Sequence, residues 1–313
     1  MSEKYETIVP SEPDAGERLQ WVSWLRSAAP YVHLHHGRTF VISFAGEVVA
    51  DRTLLNHLVM DVSLIASMGM RVVLVHGSRP QIEELMGLRK LEGQFYKGVR
   101  ITGPQELECV KEACGETRFD IEAAFSQGLP NTPMQHSRIK VVSGNFVTAR
   151  PMGIIDGVDY LHTGVVRKVD AESIQDLLSR GNIVLVSPTG FSPTGEAFNL
   201  TTEDVATAIA VAIRADKLIL SVGVDGVRVR GEKQQDLTAQ QAQALIQGKQ
   251  VDDEDVYNLG YALRAIKGGV DRVHIVPYAM DGGILTELFT HDGVGTMIST
   301  ENMESLREAT IDD

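Results

Sequence analysis

The feature that most constrains the fold is an apolar run, 40–44, which ends in the small residues Ala45 and Gly46 before a helical pattern. This order is typical of a buried parallel strand that leads into a helix, with backbone N–H groups free to meet an anion. A loop that transfers phosphoryl groups also needs a fixed cation, yet Ser43 stands where a lysine is expected and 40–50 holds no Lys or Arg. The run therefore predicts the geometry of a phosphate site without its chemistry.

The same plan occurs a second time, after a helical pattern at 54–68. The apolar run 71–75 ends in a glycine-containing turn, 76–80, and a new helix follows. Two consecutive strand–helix units of this size predict a parallel sheet with helices on both faces. Ligands in such sheets bind beyond the C-terminal ends of the strands, so we expect the loops 43–47 and 76–80 to meet there.

Further elements continue this pattern along the chain. They are a helix from Asp14 that ends ahead of Pro30, a connector at 31–37, a helix at 104–126, a strand pair at 141–149 around a Ser-Gly-Asn turn, a helix at 170–180, buried strands at 183–188, 217–222 and 272–276, a long loop at 189–196, a helix that begins at Thr201 or Thr202, two helical patterns between Thr238 and Gly268, and a helix at 284–289.

Composition limits the classes of partner. The 313 residues suit one large α/β domain or two lobes, and a net charge of −13 argues against a nucleic-acid surface or an anionic membrane as partner. Cys109 and Cys114 have a spacing that matches no zinc or redox motif, which favours idle thiols in a reducing compartment. Without an apolar N-terminal core or a run of about 18 apolar residues, we expect no secretion, no membrane span and a cytoplasmic location.

Two clusters invite a metal interpretation, and neither supports it. The histidines of 33–36 have no carboxylate or cysteine set in register with them. The acidic run 252–255 is better explained as a capped, solvated helix start. We therefore predict no metal.

Arg100 leaves two interpretations open, a carboxylate clamp and a solvated surface charge, and spacing alone favours the surface charge.

The N-terminal region combines a polar segment with an unusually apolar helix. Residues 1–13 are predicted to be disordered. The helix that follows contains both tryptophans, Trp21 and Trp24, and its apolar face is too wide for one contact. Packing on its own domain and contact with a neighbouring subunit both remain open.

Five motifs occur in order along residues 14–300. They are Val-Ile-Ser-Phe-Ala-Gly at 41–46, Val-His-Gly-Ser-Arg-Pro at 75–80, Lys-Gly-Val-Arg-Ile-Thr at 97–102, Asn-Leu-Thr-Thr-Glu-Asp at 199–204 and Leu-Thr-Glu-Leu-Phe-Thr-His-Asp-Gly-Val-Gly-Thr at 285–296. Together they resemble the amino-acid kinase family, and more narrowly the N-terminal domain of the bacterial N-acetylglutamate synthases, which open arginine biosynthesis. The resemblance implies an α/β fold, a three-layer α/β/α sandwich with a mainly parallel central sheet.

The resemblance also implies a kinase site that has lost its cations. Kinase relatives have lysines at positions that match Ser43 and Asn258, the second ahead of the penultimate helix, and an aspartate that matches Glu203. Arg100 and Asn199 match the pocket for the acylated amino acid. We therefore expect a vestigial substrate and nucleotide pocket without kinase turnover. Its expected residues are Ser43, Ala45, Gly46, Gly77, Ser78, Arg100, Asn199 and Glu203.

A separate site for L-arginine, the feedback inhibitor of the family, is implied near the end of the domain. Glu287 would pair with the guanidinium, since a bidentate carboxylate holds that group best. From spacing alone, Glu287 would be a surface helix carboxylate. The other implied residues are His274, which lines the site, Gly293 and Gly295, whose backbone receives the ligand, Tyr31, which closes it, and Lys217 as a weaker candidate.

The domain organisation implied is an N-terminal arm and interlocking helix at 1–30, an arginine-binding domain at 31–298, and at 299–313 a linker and the start of an acetyltransferase domain. In the synthases that domain uses acetyl-CoA. Because it is expected to be missing here, we predict a fragment without catalytic residues or a cofactor of its own, unable to make N-acetylglutamate. Self-association, from dimer to hexamer, is also expected.

Two other functions remain open. One is a divergent N-acetylglutamate kinase that uses other cations to transfer a phosphoryl group from ATP. The other is a catalytically dead scaffold that only assembles subunits.

Overall fold

The computed structural model describes residues 15–127 and 139–300. The predicted disordered segment 1–13 and residues 301–313 of the predicted linker lie outside the described residues. No helix in the described ranges is both long and apolar enough to cross a membrane.

Helices occur throughout the described chain. They are α1 (Ala15–His35), α2 (Gly46–Ala50), α3 (Arg52–Ser67), α4 (Arg79–Leu88), α5 (Pro104–Ser126), α6 (Ala171–Ser179), α7 (Thr202–Ala212), α8 (Ala239–Gln247), α9 (Asp253–Lys267) and α10 (Gly283–Phe289).

Strands form one large sheet and several small ones. They are β1 (Thr39–Phe44), β2 (Arg71–His76), β3 (Gln94–Tyr96), β4 (Val99–Ile101), β5 (Val141–Ser143), β6 (Val147–Pro151), β7 (Ile154–Ile155), β8 (Val158–Asp159), β9 (Gly164–Val169), β10 (Ile183–Val186), β11 (Thr189–Phe191), β12 (Ala197–Asn199), β13 (Lys217–Val222), β14 (Arg228–Val229), β15 (Glu232–Lys233), β16 (Asp236–Thr238), β17 (Arg272–Pro277) and β18 (Thr296–Ser299).

The central sheet has the strand order β16-β18-β17-β13-β1-β2-β10-β5. Neighbouring strands from β17 to β5 are parallel, whereas β18 pairs antiparallel with β17. The patterns at 40–44, 71–75, 183–188, 217–222 and 272–276 thus predicted strands that lie side by side. Strands β18 and β16, which extend the sheet beyond β17, were not predicted.

Successive residues of the central strands face two different cores. Phe40 and Ile42 of β1 pack with α3 and α10, whereas Val41 packs with α7 and α9. Because side chains alternate along a strand, both faces of the sheet are covered by helices. The predicted three-layer α/β/α sandwich with a mainly parallel sheet is confirmed.

Helix α1 continues through Pro30 to His35, so the prediction that it ends ahead of Pro30 and gives way to a connector is wrong. A boundary at residue 30 falls inside the helix. A proline inside a helix costs roughly 3 kcal/mol, because it removes one hydrogen bond and crowds the preceding turn. Tyr31 and Val32 pack against the core beneath α3 and α10. Burial of apolar side chains is worth about 1.5–3 kcal/mol each, which offsets that cost.

Two further predictions, a strand pair at 141–149 and a loop at 189–196, do not match the observed strand pairing. β5 and β6 do not pair with each other, because β5 joins β10 in the central sheet while β6 joins β9 and β11 in a four-stranded sheet. The predicted loop at 189–196 instead forms part of an antiparallel hairpin of β11 and β12 in that second sheet. An apolar run indicates a strand, but the partner depends on residues far away in the sequence.

Candidate functional site

Loops that follow β1, β2, β10, β13 and β17 enclose a cavity of about 650 Å³ at the C-terminal edge of the central sheet. The predicted pocket residues that line it are Ala45, Gly46, Gly77, Ser78, Arg100, Asn199 and Glu203. Ser43 does not line it, since this residue lies within β1 with 3% of its surface exposed.

The loops after β1 and β2 meet as predicted, and glycine permits their close approach. A Cβ atom on Gly77 would lie 2.7 Å from the backbone nitrogen of Gly46. The Gly77 N–H donates to the carbonyl of Phe44 at 2.7 Å. Any larger residue at position 77 would push the two loops apart, because a Cβ atom does not approach backbone so closely.

One end of the cavity is formed by α4 and the hairpin of β3 and β4, and Arg100 is its central side chain. The Arg100 guanidinium lies 4.6 Å from the ring centre of Phe95 and donates to Glu83 at 3.1 Å. The side chain is only 9% exposed. The alternative that Arg100 is a solvated surface charge is therefore wrong. Arg79 pairs with the same Glu83 at 3.0 Å.

The other end of the cavity is acidic. Glu203 lies in the first turn of α7, and its Oε2 accepts a hydrogen bond of 3.0 Å from the Tyr257 hydroxyl. Burial raises the pKa of Glu203, and the neighbouring charges of Asp204 and Glu47 add to this shift. Asn258 lies inside α9, not ahead of it as the resemblance implied, and also lines this end.

A second cluster lies on the sheet face that α1 and α10 cover. Nζ of Lys217 lies 3.0 Å from Nε2 of His274, and Nδ1 of the same ring lies 2.7 Å from Oε1 of Glu287. The His274 and Glu287 side chains are 4% and 5% exposed. Glu287 is therefore not the surface helix carboxylate that its spacing alone indicated.

Burial and hydrogen-bond partners determine which side chains of this cluster are charged. Burial lowers the pKa of His274 to about 4, helped by the nearby Lys217 ammonium. Burial alone would raise the pKa of Glu287, but hydrogen bonds from His274 and from two peptide N–H groups lower it to about 2. Burial also lowers the pKa of Lys217 to about 7. A neutral imidazole thus accepts from Lys217 and donates to an ionised Glu287.

The turn before β18 wraps around the Glu287 carboxylate. The N–H groups of Val294 and Gly295 donate to Oε2 at 2.7 and 2.9 Å. Gly293 has φ +60°, and a Cβ atom there would lie 2.6 Å from Oε2. The structure thus brings together Lys217, His274, Glu287, Gly293 and Gly295. Tyr31 of α1 is half-buried in the hydrophobic cluster that also contains Val294.

Two buried residues near α10 were missed from the sequence. Nε2 of His35 lies 3.0 Å from the carbonyl oxygen of Leu288. The Asp61 carboxyl accepts hydrogen bonds from the N–H groups of Ile284 and Leu285 at the start of α10. Asp61 shares the helical spacing of buried Leu58, Val62 and Ile65, so a carboxylate on an apolar helix face was the available signal.

The described residues contain no group of three or more His, Cys, Asp or Glu side chains that could hold a metal ion.

Comparison with known proteins agrees with the fold and its motifs. Residues 38–277 match the amino acid kinase family. An amino-acid acetyltransferase from Ralstonia nicotianae is 55% identical over 302 residues, which is 96% of this chain and 67% of the relative. One from Ectopseudomonas mendocina is 49% identical over 296 residues, or 94% of this chain and 68% of the relative.

Solved structures of synthases and of a kinase are also similar to this chain. The N-acetylglutamate synthase from Neisseria gonorrhoeae in complex with coenzyme A and N-acetylglutamate superposes with a TM-score of 0.83 at 35% identity, over 90% of this chain and 64% of that one. Its complex with coenzyme A and L-arginine gives 0.82 at 35% identity, over 90% of this chain and 66% of that one. This chain therefore spans just under two thirds of those solved chains. Carbamate kinase from Giardia lamblia, at 14% identity and a TM-score of 0.64, shares the fold. The chain belongs to the amino acid kinase family, as the counterpart of the kinase-like domain of the bacterial N-acetylglutamate synthases.

Proposed function

We propose that this chain is the L-arginine-sensing regulatory domain of an N-acetylglutamate synthase, the enzyme that transfers an acetyl group from acetyl-CoA to L-glutamate. The observation that carries the proposal is the buried cluster of Lys217, His274 and Glu287, whose carboxylate accepts from two peptide N–H groups of the neighbouring turn. It occurs in a chain that is 35% identical to a synthase solved in complex with L-arginine.

The chemistry of Glu287 suits a guanidinium. Its pKa of about 2 keeps the carboxylate ionised at neutral pH. Three donors already occupy it, and a carboxylate offers about four acceptor positions, so one position remains for a fourth donor. The side chain is 5% exposed. Arginine therefore reaches Glu287 when the turn at 290–295 moves aside, and its guanidinium takes this fourth position as a charged donor.

The site is in contact with α1. His35 of α1 contacts Leu288 of α10, and Tyr31 packs in the same apolar cluster as Val294. Trp21 and Trp24 of α1 are 62% and 54% exposed, which suits contact with a second copy of the chain. We propose self-association through α1, from dimer to hexamer, with a coupling of about 1–3 kcal/mol between arginine binding and subunit arrangement.

The cavity residues support the absence of kinase activity. Among the described residues its lining contains no lysine, and it includes four acidic residues, Glu47, Glu203, Asp253 and Glu254. Repulsion from these carboxylates opposes a triphosphate. We also propose a cytoplasmic location and the acetyltransferase domain of the synthases as partner of the arginine-binding domain. The expected start of that domain at residue 31 moves, because it falls inside α1.

Calorimetric titration with L-arginine tests the proposal, with L-lysine as the control ligand. Glu287→Gln keeps the side-chain volume and should abolish saturable arginine binding. Glu172→Gln, an exposed glutamate of α6, is the matched control and should bind as the original chain does. If L-arginine gives neither heat nor thermal stabilisation at millimolar concentration, the sensor proposal is wrong.

An activity assay tests the absence of kinase turnover. The chain should release no ADP from ATP and N-acetylglutamate. ADP release that disappears in Arg100→Ala would establish the divergent kinase instead.

A further inference from the structure

The turn at 290–295, which covers Glu287, has a second partner in the hairpin that β14 and β15 form. The Val294 N–H donates to Oε2 of Glu287 at 2.7 Å, and the carbonyl oxygen of the same residue accepts a hydrogen bond from Nζ of Lys233. Lys233 is half-buried and belongs to β15. Val294 is therefore held by the carboxylate of the arginine site through one backbone group and by a cationic side chain through the other.

The open end of the hairpin is bonded to the residue that follows the turn. Oγ1 of Thr296 accepts from the Val227 N–H at 2.9 Å and donates to the Gln234 carbonyl at 2.5 Å. Val227 and Gln234 are also bonded to each other, since the Gln234 N–H donates to the Val227 carbonyl at 2.9 Å. Thr296 is fully buried and begins β18. The hairpin thus contacts this part of the chain at Thr296 as well as at Val294.

Other contacts fix the position of the hairpin. Arg228 donates from Nη1 to the Gly231 carbonyl and from Nη2 to the Asp225 carboxylate, both at 2.8 Å. The Arg228 N–H donates to the carboxylate of Asp255 in α9 at 3.1 Å, and Asp255 is 3% exposed. Because the hairpin is bonded to α9 and to itself, it does not follow the turn when the turn moves. That movement therefore breaks the Lys233 contact.

We propose that Lys233 is a positioning residue that holds the turn closed over Glu287 and so regulates access of L-arginine to that carboxylate, an inference that rests on the proposed arginine-sensing function. The closed turn encloses Glu287, whose side chain is 5% exposed. A ligand that binds only the open form has an apparent affinity reduced by the fraction of molecules that are open. Each contact that stabilises the closed form lowers that fraction.

The proposal predicts the sign of an affinity change. A hydrogen bond from a charged donor contributes enough to shift such an equilibrium roughly tenfold. Loss of the Lys233 contact should therefore raise the open fraction about tenfold, and arginine should bind more tightly by the same factor while the closed form still predominates. A side chain that merely supported the shape of the binding site would have the opposite effect, since its removal would weaken binding.

Hydrogen–deuterium exchange of the segment 290–296, followed by mass spectrometry without any ligand, measures the opening of the turn. Lys233→Met removes the ammonium and should speed exchange of this segment about tenfold. Lys233→Arg retains a charged donor and should restore slow exchange. Lys168→Met, at an exposed position of β9, is the matched control and should exchange as the original chain does. The buried strand 183–186 serves as the internal reference.

Calorimetric titration of the same variants with L-arginine measures the affinity. Lys233→Met should bind arginine about tenfold more tightly than the original chain, and Lys233→Arg should bind as the original chain does. Because Lys233→Met also removes a positive charge, a variant without a change of charge separates the proposal from simple repulsion between cations. Thr296→Val removes the hydroxyl that bonds to the hairpin. It should also speed exchange of 290–296 and tighten arginine binding.

Three results would overturn the role of Lys233. They are equal exchange of 290–296 in Lys233→Met and the original chain, faster exchange accompanied by weaker arginine binding, and tighter binding in Lys233→Met that Thr296→Val does not reproduce. Absence of arginine binding by the original chain is a different result, because it refutes the sensor proposal and the regulation of arginine access together. Exchange without ligand still decides in that case whether Lys233 holds the turn closed.

Discussion

Nε2 of His35 lies 3.0 Å from the carbonyl oxygen of Leu288, and this contact joins the end of α1 to α10. The His35 ring also stands edge-on to Phe289, with ring centres 5.8 Å apart. Burial lowers the pKa of His35 to about 4, so the ring is neutral at neutral pH and donates Nε2–H to the carbonyl. The helix that carries Glu287 is thus held to the N-terminal helix by a buried hydrogen bond.

Replacement of His35 tests this connection. His35→Phe keeps an aromatic ring but leaves the Leu288 carbonyl without its donor, so the free energy of unfolding should fall by about 1–3 kcal/mol. Urea denaturation measures the change. His33→Phe, at an exposed position of the same helix, is the control and should have little effect. Equal stability of the His35 and His33 variants would contradict the role of this hydrogen bond.

Lys217 makes stability depend on pH in the alkaline range. Its pKa is about 7 in the folded chain, below the ordinary 10.5, because burial disfavours the ammonium. The unfolded chain binds more protons between these values, so stability rises as pH increases from about 7 to 10.5. Lys217→Met removes this dependence. Its stability advantage over the original chain should be largest near neutral pH and shrink by on the order of 4 kcal/mol at alkaline pH.

Chemical denaturation across this pH range measures the Lys217 effect. Lys168→Met, at an exposed position of β9, is the control and should follow the original chain at every pH. A constant difference between Lys217→Met and the original chain would show that the buried amine does not titrate in this range.

Asp61 changes the pH dependence of stability in the opposite direction to Lys217. Burial, followed by the charge of Asp281, raises its pKa to about 7 from the ordinary 3.8. The folded chain holds the extra proton between these values, so this group's contribution to stability is present at low pH and is lost as pH rises to about 7. Asp61→Asn keeps an acceptor for the N–H groups of Ile284 and Leu285. The variant should melt at a higher temperature than the original chain above neutral pH, but not at pH near 4.

Melting curves at several pH values measure the Asp61 effect. Asp281→Asn is an informative comparison, because this side chain is 70% exposed and acts on Asp61 only through its charge. It should give a smaller change of the same sign. A melting temperature of Asp61→Asn that parallels the original chain at every pH would contradict the raised pKa.

Gly77 tests the close approach of the two cavity loops. Gly77→Ala places a Cβ atom 2.7 Å from the Gly46 nitrogen, so the loops must separate. Overpacking of this kind costs about 1–3 kcal/mol, and the variant should unfold at lower urea concentration. Gly87→Ala in α4 is the matched control, since a Cβ there meets nothing within 4 Å. It should raise stability by roughly 0.5–1 kcal/mol. Two equally stable variants would contradict this packing.

Much of the fold was predictable because a parallel strand that is buried on both faces has a continuous run of apolar residues. The run 40–44 and the helix at 104–126 were located from pattern alone, and the structure has the helix at Pro104–Ser126. Partner choice was not predictable. β5 and β6 are near neighbours in sequence but join different sheets, β5 beside β10 and β6 between β9 and β11, and an apolar run does not specify its partner strand.

The residues of the candidate sites were predictable from the sequence, but their burial and their contacts were not. Glu287 has the spacing of an ordinary surface carboxylate, but the turn at 293–295 and the buried His274 ring enclose the charge. The continuation of α1 beyond Pro30 likewise depends on a tertiary surface that receives Tyr31 and His35. Local propensity contains no information about such surfaces.

The direction of β18 determines at which end of the sheet the molecule can be attached to a surface for binding measurements. This strand runs antiparallel to β17, and Ser299 pairs with Arg272, the first residue of β17. The chain therefore leaves the sheet at the end opposite the cavity, whose walls follow the last residues of the parallel strands. A linkage made where β18 ends would therefore hold the molecule at the end of the sheet away from the cavity.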